Sequence, residues 1–213
     1  MTVHDLAGRL PGIEELRAHC RALAMLDAIL CPEWEFRLYS FDSRWSPGEE
    51  VASMRDGSGN DWFVAFGRGG AFMRGYDHES PMAGRLRPGV ADAVPAVFTE
   101  FVHEPAFGFH DGGLRATFCV WRETTDDGWR AGAVDFPPGA DPDGSGHLCE
   151  LLVDRTPEAY RRYAEDYFEV DADLSAIRRV YAHEPLTAGL VRALNPELTV
   201  ADLEADAAEI GYR

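Results

Sequence analysis

The chain contains neither lysine nor glutamine, and its 20 basic residues are all arginine. Without lysine there can be no Schiff-base lysine, no lysine general base and no lysine in a phosphate-binding loop. Arginine codons are richer in G and C than lysine codons, so this bias favours a GC-rich genome and a bacterial source.

The sequence also lacks the spacing signals of a redox or exported protein. None of the four cysteines forms a CxxC pair, and all lie in apolar patterns that are typical of buried thiols in a reducing cytosol. The start of the chain has no basic segment followed by an apolar core, as a signal peptide would. The longest apolar stretch, residues 23–31, is interrupted by Asp27 and is far shorter than the roughly 20 residues of a membrane span. We therefore expect a soluble, cytoplasmic protein. The cysteines are Cys20, Cys31, Cys119 and Cys149.

Positive charge is scarce. The chain has 37 acidic residues, a formal net charge of −17 and a pI near 4.7. Residues 1–100 hold 15 acidic residues and 10 arginines, whereas residues 101–213 hold 22 and 10. Such a surface repels nucleic-acid phosphates and anionic lipids, so we expect neither nucleic-acid nor membrane binding.

The first half of the chain changes from a helical to a strand period. Apolar residues at helical spacing predict a helix over residues 13–30, which Pro32 should end. Trp34, Phe36 and Leu38 alternate with polar neighbours and predict a strand. Further strands are expected at residues 50–55, 62–66 and 71–76, and the short Gly-rich turns between them allow only an antiparallel meander.

The second half predicts one hairpin and then helices. A short helix is expected at residues 95–102, followed by a hairpin of residues 114–122 and 129–135. Thr156 reads as the N-cap of a helix, and further helices are expected at residues 174–182 and 187–194. Thr199 and Asp202 have capping-box spacing before a last helix that Gly211 ends.

These elements predict an α+β fold: an N-terminal helix, an antiparallel sheet of about six strands formed by a meander plus a hairpin, and a C-terminal cluster of short helices. We interpret residues 1–213 as a single domain in which residues 156–213 form a helical subregion. About 60 residues of short helices would be marginally stable alone, and the whole chain buries a larger fraction of its surface.

The segment from Asp141 to Leu152 resembles the calcium loop of the EF-hand family over about eight residues. It has oxygen-bearing side chains at loop positions one, three and five, glycine at six and an apolar residue at eight. Position twelve, where the family has a bidentate carboxylate, is Leu152. An Asp/Gly/Ser turn explains the same residues and is the interpretation that we favour over a bound cation.

A second candidate site follows the fourth strand, where Asp77, His78 and Glu79 are consecutive. One carboxylate could act as a base towards water, with His78 or Arg55 supplying charge. In an extended chain Asp77 and Glu79 share one face and His78 takes the other, so this site requires the chain to turn. Hydrogen bonding to the backbone or to an arginine is the alternative for these residues.

Aromatic residues and an arginine also lie together in residues 39–48, which we interpret as a loop. Arg44 and Trp45 belong to the residue types that dominate binding hot spots, so they are candidate partner-binding residues. Packing of Trp45 over the sheet edge is the alternative.

The densest acidic cluster lies near the C-terminus. It supports a non-enzymatic protein that binds a basic partner, as an inhibitor or immunity protein does with a cationic nuclease. A surface kept acidic for solubility is the simpler alternative. The second functional hypothesis is a small hydrolase or metal-dependent enzyme that uses the Asp77–Glu79 segment. We assign no cofactor and no metal ligands, and the oligomeric state is left open. Five acidic residues of this cluster fall within nine positions: Glu165, Asp166, Glu169, Asp171 and Asp173.

Overall fold

A five-stranded antiparallel sheet forms the centre of the computed structural model, which describes residues 1–212. The strand order is β1-β2-β3-β4-β7, so four consecutive strands form a meander and β7 joins its edge. A separate two-stranded hairpin is formed by β5 and β6. The strands are β1 (Tyr39–Ser46), β2 (Glu49–Arg55), β3 (Asp61–Gly67), β4 (Gly70–Tyr76), β5 (Phe109–His110), β6 (Gly113–Leu114) and β7 (Phe118–Glu123).

Both faces of this sheet are covered, which explains why β3 and β4 are buried almost along their whole lengths. Side chains alternate between the two faces of a strand. Trp62 and Val64 accordingly belong to a large hydrophobic cluster with the helices, whereas Phe63 and Ala65 belong to a smaller cluster on the other face. The sheet therefore separates a helical side from a loop-rich side.

Most helices surround the large cluster, whereas Phe101, in a short helix, belongs to the smaller one. The long helix α2 begins and ends where the sequence predicts, and Cys31 follows it as a C-cap in extended conformation. No helix within residues 1–212 is both long enough and apolar enough to cross a membrane. The helices are α1 (Val3–Arg9), α2 (Ile13–Leu30), α3 (Thr99–Val102), α4 (Ser145–Leu148), α5 (Glu150–Val153), α6 (Pro157–Phe168), α7 (Leu174–Tyr181), α8 (Ala188–Leu194) and α9 (Glu204–Ile210).

Capping residues define the C-terminal helices. Thr156 Oγ1 accepts a hydrogen bond from the amide of Ala159 (3.2 Å) and begins α6. Asp202 Oδ2 accepts from the amide of Thr199 (2.8 Å) in the turn before α9. Gly211 ends α9 with a φ of 70°, a left-handed conformation that glycine adopts without steric cost. The α+β class and the cluster of short C-terminal helices are thus confirmed.

The predicted sheet of about six strands is wrong in its last hairpin. Residues 129–135 form only an isolated bridge between Arg130 and Trp121, so the main sheet has five strands among the described residues. Gly132 approaches the carbonyl of Gly89 so closely that a Cβ there would lie 2.0 Å from the oxygen. The segment therefore packs against the preceding loop instead of continuing along β7.

The strand predicted from Trp34, Phe36 and Leu38 is also wrong. Trp34–Phe36 form a 3₁₀ turn, and β1 begins at Tyr39. Arg37 explains the turn, because its Nε donates to the carbonyl of Cys31 (2.7 Å) and its Nη2 to that of Pro32 (2.8 Å). These side-chain contacts to the backbone hold the segment in a compact turn rather than an extended ladder.

Residues 39–48, predicted as a loop, mostly form strand β1. The register between β1 and β2 shifts between Asp42 and Ser46, so an irregularity interrupts the ladder there.

Helix α1 is not among the elements predicted from the sequence. Its signal was present, since Thr2 and Asp5 form a capping box in which the Thr2 amide donates to Asp5 Oδ2 (2.9 Å).

Candidate functional site

The five clustered acidic residues lie at the end of α6 and in the loop to α7, where they divide into two groups. Asp171 forms an ion pair with Arg161, with 2.5 Å between Oδ1 and Nη2. Asp173 is the N-cap of α7, and its Oδ1 accepts from the amide of Ala176 (2.7 Å). The charges of these two residues are thus already engaged within the fold.

Glu165, Asp166 and Glu169 form the second group. All three are exposed, and none forms an ion pair with another part of the described chain. Glu169 is the C-cap of α6, with a φ of 57°. Asp166 points towards a cavity, whereas Glu165 lies on a different side of α6 from Tyr167, because residues two apart on a helix do not face each other. These three carboxylates are therefore available to a partner.

Three exposed aromatic side chains lie on the 3₁₀ turn and on α6. Trp34 and Phe36 are 55% and 60% exposed, and Tyr167 is 42% exposed. The Tyr167 hydroxyl donates to the carbonyl of Phe36 (3.4 Å), which joins the 3₁₀ turn to α6. On its other side the turn is tied to α9 by the ion pair of Arg37 with Asp206, with 2.5 Å between Nη1 and Oδ1.

The 3₁₀ turn and the last part of α6 are neighbouring segments, and we call their combined surface the aromatic–acidic face, although Glu165 lies on a different side of α6 from Tyr167. Exposed apolar side chains that lie together with polar residues around them are typical of interaction sites. The face consists of Trp34, Phe36, Tyr167, Glu165, Asp166 and Glu169.

A cavity of about 330 Å³ adjoins this face. Tyr163 lines the cavity and stacks on Tyr167, with 5.5 Å between ring centroids and 17° between planes. Arg162 also lines it, but its Nη2 is paired with Asp154 Oδ2 (3.2 Å). The other lining residues are Leu38, Tyr39, Met54, Asp56, His147, Leu148, Glu150, Leu151, Ala159 and Asp166.

A buried carboxylate lies behind the cavity wall. Asp27 is fully buried and accepts hydrogen bonds from the amides of Leu38 (3.0 Å) and Tyr39 (2.9 Å) and from the hydroxyls of Tyr160 (2.8 Å) and Tyr163 (3.4 Å). Burial raises the pKa of Asp27 to about 7 in spite of these donors. The network joins α2, β1 and α6, so Asp27 positions the elements that carry the aromatic–acidic face.

The Asp77–Glu79 segment does turn, but its three side chains go different ways. Asp77 is buried, and its Oδ1 accepts from the amide of Glu79 (2.9 Å). His78 is exposed, and its Nδ1 lies 2.8 Å from Asn60 Oδ1. Glu79 is exposed, and Arg55 lies over the ring of Phe63 at 5.0 Å. No hydrogen bond or ion pair joins Arg55, His78 and the two carboxylate side chains within residues 1–212.

The segment that resembles a calcium loop uses its carboxylates to bind amides. Asp141 Oδ1 accepts from the amide of Gly146 (2.8 Å) and Oδ2 from that of His147 (3.0 Å). Asp143 Oδ1 accepts from the amide of Ser145 (3.0 Å), and its Oδ2 accepts from that of Val3 (2.7 Å) in α1. The carboxylates therefore organise the short helix α4 and dock α1, as the Asp/Gly/Ser turn interpretation expects.

His147, within this segment, lies near two carboxylates that come from different parts of the chain. Its Nδ1 lies 3.0 Å from Asp141 Oδ2, and its Nε2 lies 4.0 Å from Asp77 Oδ2. Although burial raises the pKa of Asp141, the hydrogen bonds from His147 and Gly146 hold it below its usual value. Within the described part of the chain, no group of three His, Cys, Asp or Glu residues has the geometry to hold a metal ion.

Arg44 and Trp45 point to opposite sides of β1. Arg44 Nη2 donates to the carbonyl of Ala208 in α9 (3.3 Å), on the helical side of the sheet. Trp45 is 36% exposed and stacks on Phe107 at 5.8 Å, on the loop-rich side. Neither belongs to the aromatic–acidic face, and the structure does not bring them together as a binding pair.

Comparison of the chain with protein-family models, with curated proteins and with solved structures gives no match. Its function must therefore be argued from its own geometry. The sequence pattern does not identify Trp34, Phe36 and Tyr167 as exposed residues of a site. The first two were assigned to a strand, and the residues of the turn and of α6 are more than a hundred positions apart, so only the fold brings them together.

Proposed function

We propose that this chain is a non-enzymatic protein that binds a basic protein through the aromatic–acidic face, in the manner of an inhibitor or immunity protein. The observation that carries the proposal is the contact between the exposed 3₁₀ turn and the end of α6. It joins the turn that carries Trp34 and Phe36 to the end of the helix that carries Tyr167 and three exposed carboxylates, which form no ion pair within residues 1–212. We further propose that the encounter takes place in the cytoplasm of a bacterium.

The aromatic residues supply the apolar centre of such an interface. Tryptophan and tyrosine are enriched among the few residues that carry most of the binding energy of interfaces, and exposed aromatic groups gain most when they are desolvated. Trp34 and Phe36 have more than half of their surface exposed, and Arg37 ties their turn to the preceding backbone and to α9. A preformed turn loses little conformational entropy on binding.

The charge around this centre selects a basic partner. Arg161 and Arg162 on α6 are already paired with Asp171 and Asp154, so they do not neutralise the free carboxylates. The whole chain carries −17, so its long-range potential adds to the local one. Complementary potentials accelerate association and repel acidic competitors.

The hydrolytic alternative at Asp77, His78 and Glu79 requires side chains that converge on one cavity. Their separate contacts give a nucleophile or a general base no common place to act. The geometry therefore supports binding better than hydrolysis.

The first experiment identifies the partner. A photo-crosslinking amino acid is placed at Phe36 on the face, and in a control variant at Val97, which is 51% exposed elsewhere. We expect a basic protein to be crosslinked from position 36 and not from position 97. Capture of only acidic or neutral proteins at position 36 would contradict the proposal.

The second experiment uses the purified partner and measures association rates by stopped flow over a range of salt concentrations. The test variant combines Glu165→Gln, Asp166→Asn and Glu169→Gln. The control variant combines Glu100→Gln, Asp127→Asn and Asp135→Asn, three exposed acidic residues outside the face.

Both variants lose three negative charges. A difference between their association rates therefore reports the position of the charges and not the net charge of the chain. We expect the test variant to associate about tenfold more slowly at low salt and to show a weaker salt dependence, because local charge steers the encounter. The control variant should stay within about twofold of the unmodified chain. Equal rates for the two variants, or association that is independent of salt, would refute the role of the face.

A further inference from the structure

A second cavity, of about 440 Å³, lies on the loop-rich side of the protein. It is formed at the end of β4 by Tyr76, by the loop that contains Arg85 and Leu86, and by the β5–β6 hairpin with the residues that follow it. Its volume lies within the range of roughly 300–1,000 Å³ that small-molecule sites have.

Two arginines line this cavity, which is unusual in so acidic a chain. Arg85, Arg115 and His110 line it, and no carboxylate does, among the residues that the structure describes. Asp111, at the tip of the hairpin, is exposed and is not part of the lining. Arg85 is exposed and forms no ion pair within residues 1–212.

One buried carboxylate behind the cavity is shared between two arginines. Asp61 Oδ2 lies 2.9 Å from Arg115 Nη2, and Asp61 Oδ1 is bonded to the buried Arg74. A single negative charge cannot neutralise two guanidinium groups. The group of Asp61, Arg74 and Arg115 therefore keeps a net positive charge, to which Arg85 adds.

The rest of the wall is apolar. Leu114 and Ala116 are buried beneath the cavity, and Leu86 is 37% exposed at its side. The guanidinium of Arg115 lies 4.5 Å from the ring centroid of Tyr76, so the ring and the cation form one face of the wall. A ligand that fits has an anionic group for the arginines and an apolar part for the leucine and tyrosine side chains.

We propose that this cavity binds a small organic anion, a carboxylate or a phosphate monoester that carries an aromatic or aliphatic group. Arg85 is the principal anion-binding residue, because its guanidinium forms no ion pair within residues 1–212, and Arg115 stabilises the same charge while it remains paired with Asp61. Bidentate hydrogen bonding to such groups is the geometry that arginine provides best. The proposal is independent of partner binding at the aromatic–acidic face.

The test uses phenyl phosphate as the probe and the full chain as the protein. Amide chemical shifts are followed by NMR during titration, and dissociation constants are taken from the saturating shifts. Phenol and inorganic phosphate serve as probes that lack the charge and the apolar group, respectively. The test variant is Arg85→Ala. The control variant is Arg68→Ala, an exposed arginine that does not line the cavity.

We expect saturable shifts around Leu86, Gly108 and Gly113, and a dissociation constant about tenfold higher for Arg85→Ala, the loss of one charge-assisted contact. Arg68→Ala should bind as the unmodified chain does. Chemical shifts that do not saturate would overturn the proposal. An equal loss of affinity in Arg85→Ala and Arg68→Ala would also overturn it, since the probe would then be attracted by the overall charge and not by this cavity.

Binding of phenol as tight as that of phenyl phosphate would refute the role of the arginines. Binding of inorganic phosphate as tight as that of phenyl phosphate would refute the role of the apolar wall. Unaltered binding by Arg85→Ala, with shifts located elsewhere, would also overturn the site.

Discussion

Replacing Asp27 by asparagine should remove a pH dependence of stability that the unmodified chain has near neutrality. Burial raises the pKa of Asp27 from 3.8 to about 7 in the folded state, whereas the unfolded chain releases this proton near 3.8. The folded protein therefore binds one more proton than the unfolded chain between these two values. Stability from this group is fully present at low pH and is lost as the pH rises towards 7.

The size of the effect follows from the same pKa. A group with a folded pKa near 7 gives a free energy of unfolding roughly 1.4 kcal/mol higher at pH 6 than at pH 8. Burial of His19 changes the pH dependence of stability in the opposite direction. It lowers the pKa of that residue to about 4, so the folded state, in which His19 is neutral, is favoured at high pH. The two contributions partly cancel in the unmodified chain.

The comparison of variants isolates Asp27 from this background. Free energies of unfolding are measured by urea denaturation at about pH 6 and about pH 8 for the unmodified chain, Asp27→Asn and Tyr160→Phe. Asp27→Asn lowers stability overall, because an amide cannot accept all four donated hydrogen bonds. The pH difference of the unmodified chain should exceed that of Asp27→Asn by roughly 1.4 kcal/mol.

Tyr160→Phe keeps the Asp27 carboxylate and removes one of its hydrogen-bond donors, which raises the pKa of Asp27 further. The pH dependence of the free energy of unfolding should therefore persist in this variant and move to higher pH. Parallel pH profiles for the unmodified chain and Asp27→Asn would refute the reasoning. They would mean that the folded state holds this carboxylate ionised throughout the range.

Three other residues give predictions for stability: one has a pH dependence opposite to that of Asp27, and the other two have effects of opposite sign. His19→Gln keeps a donor for the carbonyl of Leu151, whose oxygen lies 2.7 Å from the ring nitrogen of His19. It should abolish the part of the free energy of unfolding that the unmodified chain loses as the pH falls from 6.5 towards about 4. Urea denaturation across this range checks the prediction, and an equal loss of stability in the variant would contradict it. Gly75→Ala should lower the free energy of unfolding by about 1–3 kcal/mol, because its Cβ would lie 2.0 Å from the ring of Phe118. Gly8→Ala, in helix α1, should raise the free energy of unfolding by about 0.5–1 kcal/mol. Equal thermal midpoints for these two variants would show that the contact at Gly75 is not tight.

The elements that could be predicted from sequence are those in which local pattern and tertiary environment agree. The helix of residues 13–30 has an apolar face at helical spacing and lies against the sheet along that face. The strands β2, β3 and β4 are joined by turns too short for any other connection, so their antiparallel order follows from chain geometry.

The errors arose where a local pattern has no tertiary support. Trp34 and Phe36 alternate as in a strand, yet Arg37 binds the backbone of the preceding residues and no neighbouring strand is present to pair with them. The segment around Gly132 has strand-like residues, but its close approach to Gly89 fixes it elsewhere. Neither contact can be read from spacing along the chain.

The residues of the candidate sites are even harder to predict from the sequence than the secondary-structure elements. The acidic residues of the second half were visible as a cluster, but which of them are engaged depends on arginines that the fold places beside them. Asp171 is paired and Asp166 is free, although both belong to the same run of acidic residues. The exposure of Trp34 and the proximity of Arg85 to Arg115 depend wholly on tertiary structure.

The sheet gives a physical reason why two sites of opposite charge can exist in one small chain. The aromatic–acidic face is built on α6 and the 3₁₀ turn, on the helical side, and the cationic cavity is built on Tyr76 and the β5–β6 hairpin, on the other side. Charges separated by more than about 10 Å are largely screened at moderate ionic strength. Within residues 1–212 the carboxylates of the face form no ion pair with Arg85 or Arg115, whereas Asp61 contacts Arg115 and neutralises that guanidinium in part. Removal of charge at one site should consequently leave binding at the other unchanged, which is why the two proposals can fail separately.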